Sequence, residues 1–388
     1  MAFSIVDAIN DLASLYGEAK DKNEYEFIMT LLNYKSIGSV QAQANLHEWF
    51  EALGSYSSYY SSFSGKQKTR MAALLYSTFF ENSDFYNIIG SLCKIKLGFR
   101  SSSYLFWKTK KYERFLGIGE KEDFLRDLLT DAGKLNIISF FEENHYTEIR
   151  NTFFHSAYSL EDNDYILHDS GFIKINGIGM QSFDVEQFFY PMVDRVISFF
   201  EAFRKLYLGH FNSYQEDRRI GANPLGAEGI IIGTPRGLGG IRIPNAVQIY
   251  GEWHDSGIWY DEEFGLWGAR NLNINFPAIE QIEISEQLTH YEGKDKVLKN
   301  DAAFNNLIDK VAERKNSQEL TRAIKVLLKF GDFKLKEMEA EVNEFKKRSL
   351  PIGIIPFYRR AAEIMEGVYD NKPILEKVRN LESISGAT

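Results

Sequence analysis

The sequence predicts a mostly α-helical protein in which a β-rich module lies between two helical regions. Over most of residues 1–215 the apolar residues recur every three or four positions, as in amphipathic helices packed into a bundle. Residues 216–290 are rich in glycine and alternate polar with apolar side chains, which is typical of short strands. Helical periodicity returns over residues 291–388, with many lysines and glutamates. We therefore expect a helical domain at 1–215, a β-rich module at 216–290 and a helical C-terminal region at 291–388.

The composition narrows the classes of protein that fit this chain. A chain of 388 residues is longer than a single hydrophobic core usually accommodates, so more than one domain is expected. Its content of 44% hydrophobic and 26% charged residues is ordinary for a globular protein. A net charge of -9 argues against a surface that binds nucleic acid all over, but leaves room for a local basic groove. One cysteine, Cys93, excludes an intramolecular disulfide and a cysteine-based zinc site. With neither a charged leader nor an apolar run of about 18 residues, we expect a cytoplasmic protein with no membrane partner.

Glycines and polar runs divide the N-terminal region into predicted elements. The high aromatic content, 14% of residues, is expected mainly in the interior of the bundle. In chain order we expect helices within 2–53, a loop or frayed helix start at 55–64, and helices at 66–97, 121–129 and 134–158. A β-hairpin is expected over 165–178, turning at Asp169-Ser170-Gly171. A last helix of this region should run from an Asp184 N-cap to Leu208.

The stretch Thr147 to Tyr158, T-E-I-R-N-T-F-F-H-S-A-Y, carries the clearest candidates for chemistry. On a helix Asn151 and His155 lie one turn apart on a polar arc, whereas Arg150 falls within the opposite, apolar arc. The apolar arc consists of Tyr146, Ile149, Phe153, Phe154 and Ala157. A charged head in such an arc needs an acid, a partner surface or an escape to its edge.

Two structural questions follow from the position of Arg150. Glu81 or Asp84, both within the predicted helix 66–97, would be suitable acids to hold it from across the bundle. Arg150 and His155 also diverge by about 140° on one helix. They therefore converge on one substrate only if the helix ends between them or a second copy of the helix faces the first.

The run Arg150-Asn151-Thr152-Phe153-Phe154-His155 resembles the motif of the HEPN family, in which a polar residue follows Arg and His comes four to six positions after Arg, near a helix end in a small bundle. The resemblance implies a metal-independent endoribonuclease, of the kind associated with toxins and antiviral defence. It also implies a homodimer in which two motifs share one cleft, and RNA products with 2′,3′-cyclic phosphate and 5′-hydroxyl ends. Arg204 to His210 has a permitted spacing too, but Lys205 follows that arginine, and we interpret this second match as accidental.

The resemblance assigns roles within the motif. His155 is the general base or acid, because imidazole titrates near neutrality. Arg150 stabilises the phosphorane oxygens, and Asn151 orients the histidine or the phosphate. Glu148, next to His155 on the polar arc, is a further catalytic candidate. We expect no cofactor and no metal site, since no carboxylate group has a convincing ligand spacing. An antitoxin or an activating ligand is an expected partner.

A basic segment with interleaved aromatic residues, 94–115, is the candidate RNA platform in this acidic chain. The alternative is an amphipathic element with its aromatic rings inward and its lysines solvated. The candidate RNA-binding residues are Lys94, Lys96, Arg100, Lys108, Lys110 and Lys111, together with Tyr158.

The β-rich module supports a second hypothesis, a non-catalytic protein that uses this module to recognise a ligand or protein partner. Gly233 to Gly240 lacks the Gly-Lys-Ser/Thr ending of a phosphate-binding loop, and we interpret it as a hairpin turn. Trp253, His254, Trp259, Tyr260 and Trp267 form either a binding patch or the core of the module. Loss of cleavage on replacing His155 would favour the ribonuclease, whereas unchanged binding would favour the second hypothesis.

Overall fold

The structure is a computed structural model that describes residues 3–33, 44–99, 108–109, 114–168, 172–175, 177–222, 228–261, 266–270, 276–294, 302–366 and 369–385. As predicted, the fold is mostly α with a β-rich module in the middle of the chain. It divides into two compact units, Met1–Asn273 and Ile274–Thr388. The strands of the module belong to the same unit as the N-terminal helices, and the predicted boundary at 290 falls within a helix, Phe276–Gly293.

Aromatic side chains fill the core of the first unit. Trp49 packs edge-on against Phe200 with ring centroids 5.2 Å apart, and its indole N–H donates to the Thr78 carbonyl at 3.1 Å. Phe140 stacks on Phe199 at 4.0 Å. The high aromatic content of the sequence therefore serves packing, as expected for a helical interior. The helices are α1 Ile5–Lys22, α2 Glu24–Leu32, α3 Ala44–Ser62, α4 Gly65–Glu81, α5 Ser83–Lys96, α6 Ile118–Asp131, α7 Leu135–Asn144, α8 Thr147–Phe154 and α9 Tyr190–Asn212.

The serine- and tyrosine-rich tract 55–64, predicted as a loop or a frayed helix start, is instead the last part of helix α3 as far as Ser62. Tyr60 is 5% exposed and donates a hydrogen bond from its hydroxyl to Asp194 of α9 at 3.1 Å. Tertiary packing of such tyrosines outweighs the weak helix propensity of serine.

The predicted helix 66–97 is interrupted at Asn82, which ends α4 and begins α5. The Asn82 side-chain oxygen accepts a hydrogen bond from the Phe85 amide at 2.9 Å. Asparagine competes for free backbone amides in this way, which favours it at caps over helix interiors. The break leaves Glu81 as the last residue of α4.

The predicted helix 134–158 is also two helices, α7 and α8, separated at His145 and Tyr146. The Tyr146 amide donates to the Tyr76 hydroxyl at 2.6 Å, and His145 pairs with Glu122 at 2.7 Å. These contacts from other helices satisfy polar groups near the break. Periodicity within the segment contains no sign of them.

After α8 the chain forms short strands. The acidic run 161–164, expected only to end the helix, is the turn of a hairpin, with Asp162 at φ 47. The predicted turn at 169–171 lies outside the described residues. The hairpin predicted over 165–178 was wrong, because residues 164–167 pair with 158–161 and 182–184, whereas 173–175 pair with 178–180. The strands after α8 are β3 Tyr158–Glu161, β4 Asp164–Leu167, β5 Ile173–Ile175, β6 Ile178–Met180 and β7 Ser182–Asp184, with β3, β4 and β7 forming one sheet in that order. Two further short strands, β1 Lys108–Thr109 and β2 Arg114–Phe115, lie before α6 and pair with each other.

Asp184 is an N-cap, as predicted, and its carboxylate accepts a hydrogen bond from the Gln187 amide at 2.6 Å. It opens a π-helical turn, Val185–Phe189, that leads into α9. This long helix runs on to Asn212, beyond the predicted end at Leu208.

The module itself is an antiparallel meander in the order β12-β11-β10-β9-β8. Gly233 to Gly240 forms the hairpin between β9 and β10, which confirms its interpretation as a turn. The sheet requires glycine where strands approach closely, because a Cβ at Gly257 would lie 2.1 Å from the Ile241 carbonyl oxygen. The strands are β8 Arg218–Ala222, β9 Glu228–Thr234, β10 Gly237–Ile249, β11 Glu252–Asp261 and β12 Leu266–Arg270.

The second unit is helical, as predicted. Its buried core includes Phe304, Leu327 and Phe330. Pro351 begins α14, but Pro356, predicted to interrupt, lies within that helix. The carbonyl that Pro356 leaves without a donor belongs to Ile352, which is exposed and open to water. The helices are α10 Phe276–Gly293, α11 Ala302–Arg314, α12 Ser317–Ala340, α13 Glu344–Ser349, α14 Pro351–Met365 and α15 Lys372–Ser385.

None of the helices among the described residues is both long and apolar enough to cross a bilayer.

Candidate functional site

The motif helix α8 ends directly at His155, which is its C-cap residue. The Ser156 amide donates to the Phe153 carbonyl at 3.1 Å, and the Ala157 amide donates to the Thr152 carbonyl at 2.8 Å. Ser156 has φ 53, so this is a Schellman ending with serine in the left-handed position that glycine usually occupies. The ending turns the chain into β3 and leaves His155 at an exposed corner.

Arg150 is held at the edge of the apolar arc by an acid and an amide. Its guanidinium forms an ion pair with Glu81 of α4, one of the two acids that the sequence suggested. It also donates to the Asn151 side-chain oxygen at 2.7 Å. The guanidinium carbon lies 5.7 Å from the centre of the Phe154 ring. The head group is therefore directed away from the core and toward the face that carries Asn151.

This orientation reduces the divergence between Arg150 and His155. The backbone positions differ by about 140°, but Asn151 lies only about 40° from His155 when viewed down the axis. Because the guanidinium bonds to Asn151, Arg150 contributes its charge to the same exposed face as His155. Contacts of Arg150 join it to Glu81 and Asn151, and His155 follows Asn151 by one turn of the helix.

The electrostatics of Arg150 reflect partial burial. Its side chain is 26% exposed, and burial lowers the pKa of Arg150 below its usual value. Arginine nevertheless stays protonated near neutral pH. Its Nε is buried with no hydrogen-bond partner. The site thus holds a fixed positive charge that one carboxylate, 37% exposed, partly neutralises.

Two further polar groups near the motif differ in position. Glu148 is in the first turn of α8, about 10 Å from His155 along the helix axis. The helix therefore does not bring Glu148 to the end where His155 lies. His168 is exposed and shares a hydrogen bond of 3.0 Å with the Ser159 hydroxyl. Within the described part of the chain, the His155 imidazole has no hydrogen-bond or ion-pair partner, which leaves both ring nitrogens available.

Two lysines of the predicted RNA platform are occupied within the bundle, one by burial and one by ionic and hydrogen-bond contacts. Lys94 is 4% exposed in α5, so the structure corrects its assignment as an RNA contact. Lys96 forms an ion pair with Glu18 at 2.5 Å and donates to the Ala132 carbonyl at 2.6 Å. Those contacts engage its ammonium group within the bundle. Lys108 lies in β1, and Arg100, Lys110 and Lys111 lie outside the described residues.

A groove that sequence reasoning missed lies beside the end of α8. Its volume is about 660 Å³, within the range typical of small-ligand sites. The α4 residues that line it recur at helical spacing on one face of that helix. A search for such a face on the predicted helix 66–97 would have found them. Its lining residues are Phe63, Gln67, Arg70, Met71, Leu74, Phe153, Ser156 and Tyr158. Among the predicted RNA-binding residues that the structure describes, Tyr158 alone lines this groove.

The aromatic patch of the β-rich module is partly surface and partly packed. Trp253 is 61% exposed, next to the β10–β11 turn. Tyr250, in that turn, is fully exposed. Tyr260 and Trp267 pack edge-on at 5.8 Å across neighbouring strands. The patch therefore combines exposed rings with a packed pair.

The second arginine–histidine match, Arg204 to His210, lies on α9. Arg204 pairs with Glu201, one turn earlier on α9, at 2.9 Å. His210 stacks on Tyr16 with centroids 5.3 Å apart and meets Phe27 edge-on. The packed His210 thus differs from the exposed His155, whereas Arg204, 36% exposed, is paired much as Arg150 is.

No protein-family model, curated protein or solved structure matches this chain. The candidate site therefore has to be interpreted from its own geometry. That geometry combines a fixed cation, an orienting amide, an exposed imidazole and an adjoining groove at the end of one helix.

Proposed function

We propose that the protein is a metal-independent endoribonuclease of the HEPN type, acting as a toxin or antiviral-defence effector. The observation that carries the proposal is the hydrogen bond from Arg150 to Asn151, which directs the guanidinium toward the face where His155 is exposed. A cation and an imidazole on one open face are the groups that ribose-assisted cleavage requires.

The proposed reaction is an internal transesterification. One His155 accepts the proton of a ribose 2′-hydroxyl, and the 2′-oxygen forms a bond to the adjacent phosphorus. The bond from phosphorus to the 5′-oxygen breaks, and that oxygen takes a proton from a second acid. Arg150 stabilises the negative charge on the non-bridging oxygens. The products are a 2′,3′-cyclic phosphate and a 5′-hydroxyl.

A homodimer supplies the second acid in this proposal. One exposed imidazole cannot be both free base and charged acid in the same step, whereas His155 of a second copy can be the acid. Two α8 ends that face each other would form one composite cleft. A protein that remains monomeric by analytical ultracentrifugation while it cleaves RNA would contradict the shared cleft.

The test is cleavage of single-stranded and structured RNA in excess chelator, followed by analysis of product ends. Cyclic phosphate ends that disappear in His155→Ala support the proposal. The matched control is His168→Ala, because His168 is also an exposed histidine on the segment following α8. Ends of another chemistry, or equal activity in both variants, would reject His155 as the general base or acid.

A second candidate function is a non-catalytic binding protein that recognises a partner through its β-rich module. The turn between β10 and β11 favours it, since Tyr250 is fully exposed and Trp253 is 61% exposed beside it. Such rings are enriched at binding interfaces. Under this function RNA remains intact with the wild-type protein, and Tyr250→Ser with Trp253→Ser abolishes capture of the partner while His155→Ala does not.

A further inference from the structure

The groove beside α8 combines an apolar wall with one unneutralised cation. On α4, Gln67, Arg70, Met71 and Leu74 face the groove together, since 67 and 70, 67 and 71, and 71 and 74 are three or four residues apart. The opposite wall consists of Phe153, Ser156 and Tyr158 from the end of α8 and the start of β3. Rings and a thioether therefore line a space whose polar groups are concentrated on α4.

Arg70 is the charge that distinguishes this groove from a plain apolar cleft. Its side chain is exposed, and within the described part of the chain it has no ion-pair or hydrogen-bond partner. Arg150, in contrast, is paired with Glu81. An unpaired guanidinium at a groove wall binds phosphate readily, because its planar fork matches phosphate oxygens.

The local charge adds to this preference for an anion. Lys68 lies two residues before Arg70 on α4, and the first turn of that helix contains no acidic residue. Lys68 is held over the rings of Tyr60 and Tyr190, at 4.8 and 4.6 Å. In a protein of net charge -9, this is a local positive region beside aromatic side chains.

The groove also opens next to the proposed catalytic histidine. Ser156, the residue after His155, lines it, and consecutive Cα atoms are about 3.8 Å apart. Phe153, two residues before His155, lines it as well. A ligand in the groove therefore lies at the same helix end as His155, on the side toward α4.

We infer that this groove binds one unpaired nucleotide of a single-stranded RNA, next to the phosphate that the ribose 2′-oxygen attacks when His155 takes its proton, with the base against Phe153, Met71 and Tyr158 and a phosphate on Arg70. The inference rests on the proposed ribonuclease function and specifies its substrate as single-stranded at that nucleotide. Stacking on protein rings accepts any base, so we expect little sequence preference from this contact.

The test uses a 2′-O-methyl oligouridine, which lacks the attacking hydroxyl and therefore reports binding without cleavage. Fluorescence anisotropy would compare the full-length protein with Arg70→Gln and with the matched control Lys66→Gln, an exposed cation of the same helix outside the groove lining. We expect Arg70→Gln to weaken binding by about 10-fold or more and to reduce the slope of log K against log salt by about 0.7, the value for one phosphate contact to a single strand. We expect Lys66→Gln to change affinity less than threefold.

Filling the groove provides a second variant that does not depend on charge. Gln67 is exposed, so Gln67→Trp should fold, and its ring would occupy the space of the base. It should weaken oligonucleotide binding by about 5- to 150-fold, the range of one lost base stack. Retention of wild-type binding by Gln67→Trp would contradict occupancy of the groove.

The outcomes separate the groove from the nuclease. If the wild type cleaves RNA and Arg70→Gln reduces cleavage no more than Lys66→Gln does, the nucleotide site in the groove is contradicted. The proposed ribonuclease function is then retained. Arg70-dependent binding with no cleavage by the wild type would support the nucleotide site and overturn the ribonuclease. Absence of oligonucleotide binding in every form, as expected if the groove receives a peptide segment, would overturn the inference.

Discussion

Arg150 of α8 and Glu81 of α4 form an ion pair across the first unit of the protein. The pair explains how an arginine can occupy an arc otherwise made of apolar residues, because the acid balances its charge near the surface. Asn151 accepts a second hydrogen bond from the same guanidinium, so its orientation has two anchors. We interpret Glu81 as a positioning residue for the candidate site.

Replacing Glu81 with Gln should lower the free energy of unfolding by about 1 kcal/mol, because it leaves a half-buried guanidinium without its counter-charge. Urea denaturation followed by circular dichroism measures this. The control is Glu142→Gln, whose carboxylate pairs with Arg126 at 3.5 Å on the surface and should contribute almost nothing. Equal stability of the two variants would show that the Arg150–Glu81 pair does not stabilise the fold.

Asn151→Ala should reduce the rate of RNA cleavage by about 10- to 100-fold under the proposed function, since Arg150 loses the contact that directs it toward His155. Single-turnover kinetics at saturating protein measures the chemical step. Thr147→Ala is the matched control, because Thr147 is an exposed residue one turn earlier on the same helix. A similar rate loss in both variants would indicate general damage to α8 and not loss of orientation.

Stability should fall between neutral pH and about pH 5 partly because of His210. Burial, with Lys20 adding to it, lowers the pKa of His210 below its usual 6.5. The unfolded chain therefore binds more protons as the pH drops through about 6.5, and stability decreases until the folded-state pKa is passed. His210→Phe should show a smaller difference in Tm between pH 7.5 and pH 5.5 than the wild type.

The control for that measurement is His155→Gln, which removes an exposed histidine. It should keep the pH dependence of the wild type. His47, whose pKa burial also lowers, continues to contribute in both variants, so we expect His210→Phe to reduce the fall in Tm and not to abolish it. An unchanged fall in His210→Phe would refute the assignment.

Ser156→Gly should raise the free energy of unfolding by about 1 kcal/mol. Ser156 has φ 53, a conformation that costs an L-residue about 1–2 kcal/mol and glycine very little. Chemical denaturation would again measure the change. Ser198→Gly within α9 is the opposite-sign control, because glycine in a helix interior is destabilising. A loss of stability in both variants would mean that Ser156 makes contacts worth more than its backbone strain.

Much of the architecture follows from local patterns in the sequence. Spacing of three and four residues placed α9 and its Asp184 cap, and alternation with glycine placed the β9–β10 hairpin at Gly233 to Gly240. These elements are predictable because periodicity and turn chemistry are properties of neighbouring residues. The sequence did not predict the helix breaks at Asn82 and at His145. The break at His145 is stabilised by side chains that are distant in sequence, which local patterns do not reveal.

The candidate site shows the same division. Helical geometry placed Arg150 among apolar residues and suggested Glu81 as a partner, and the structure contains that pair. Helical geometry did not predict that Lys94 is buried or that Lys96 pairs with Glu18, because charge clusters along a sequence do not reveal which face packs inward. The groove at Arg70 requires α4, α8, β3 and the segment between α3 and α4 to meet, which no single segment encodes.

By itself, the sequence of this protein determined the helical and β-rich regions, the arginine and histidine of one short helix, and the acids able to hold that arginine. Only the tertiary structure decided that Glu81 is the acid, that α8 ends at His155 and that a groove opens beside it. The physical reason is range: propensity and periodicity act over a few residues, whereas ion pairs, helix ends and cavities depend on which distant surfaces fill the remaining space.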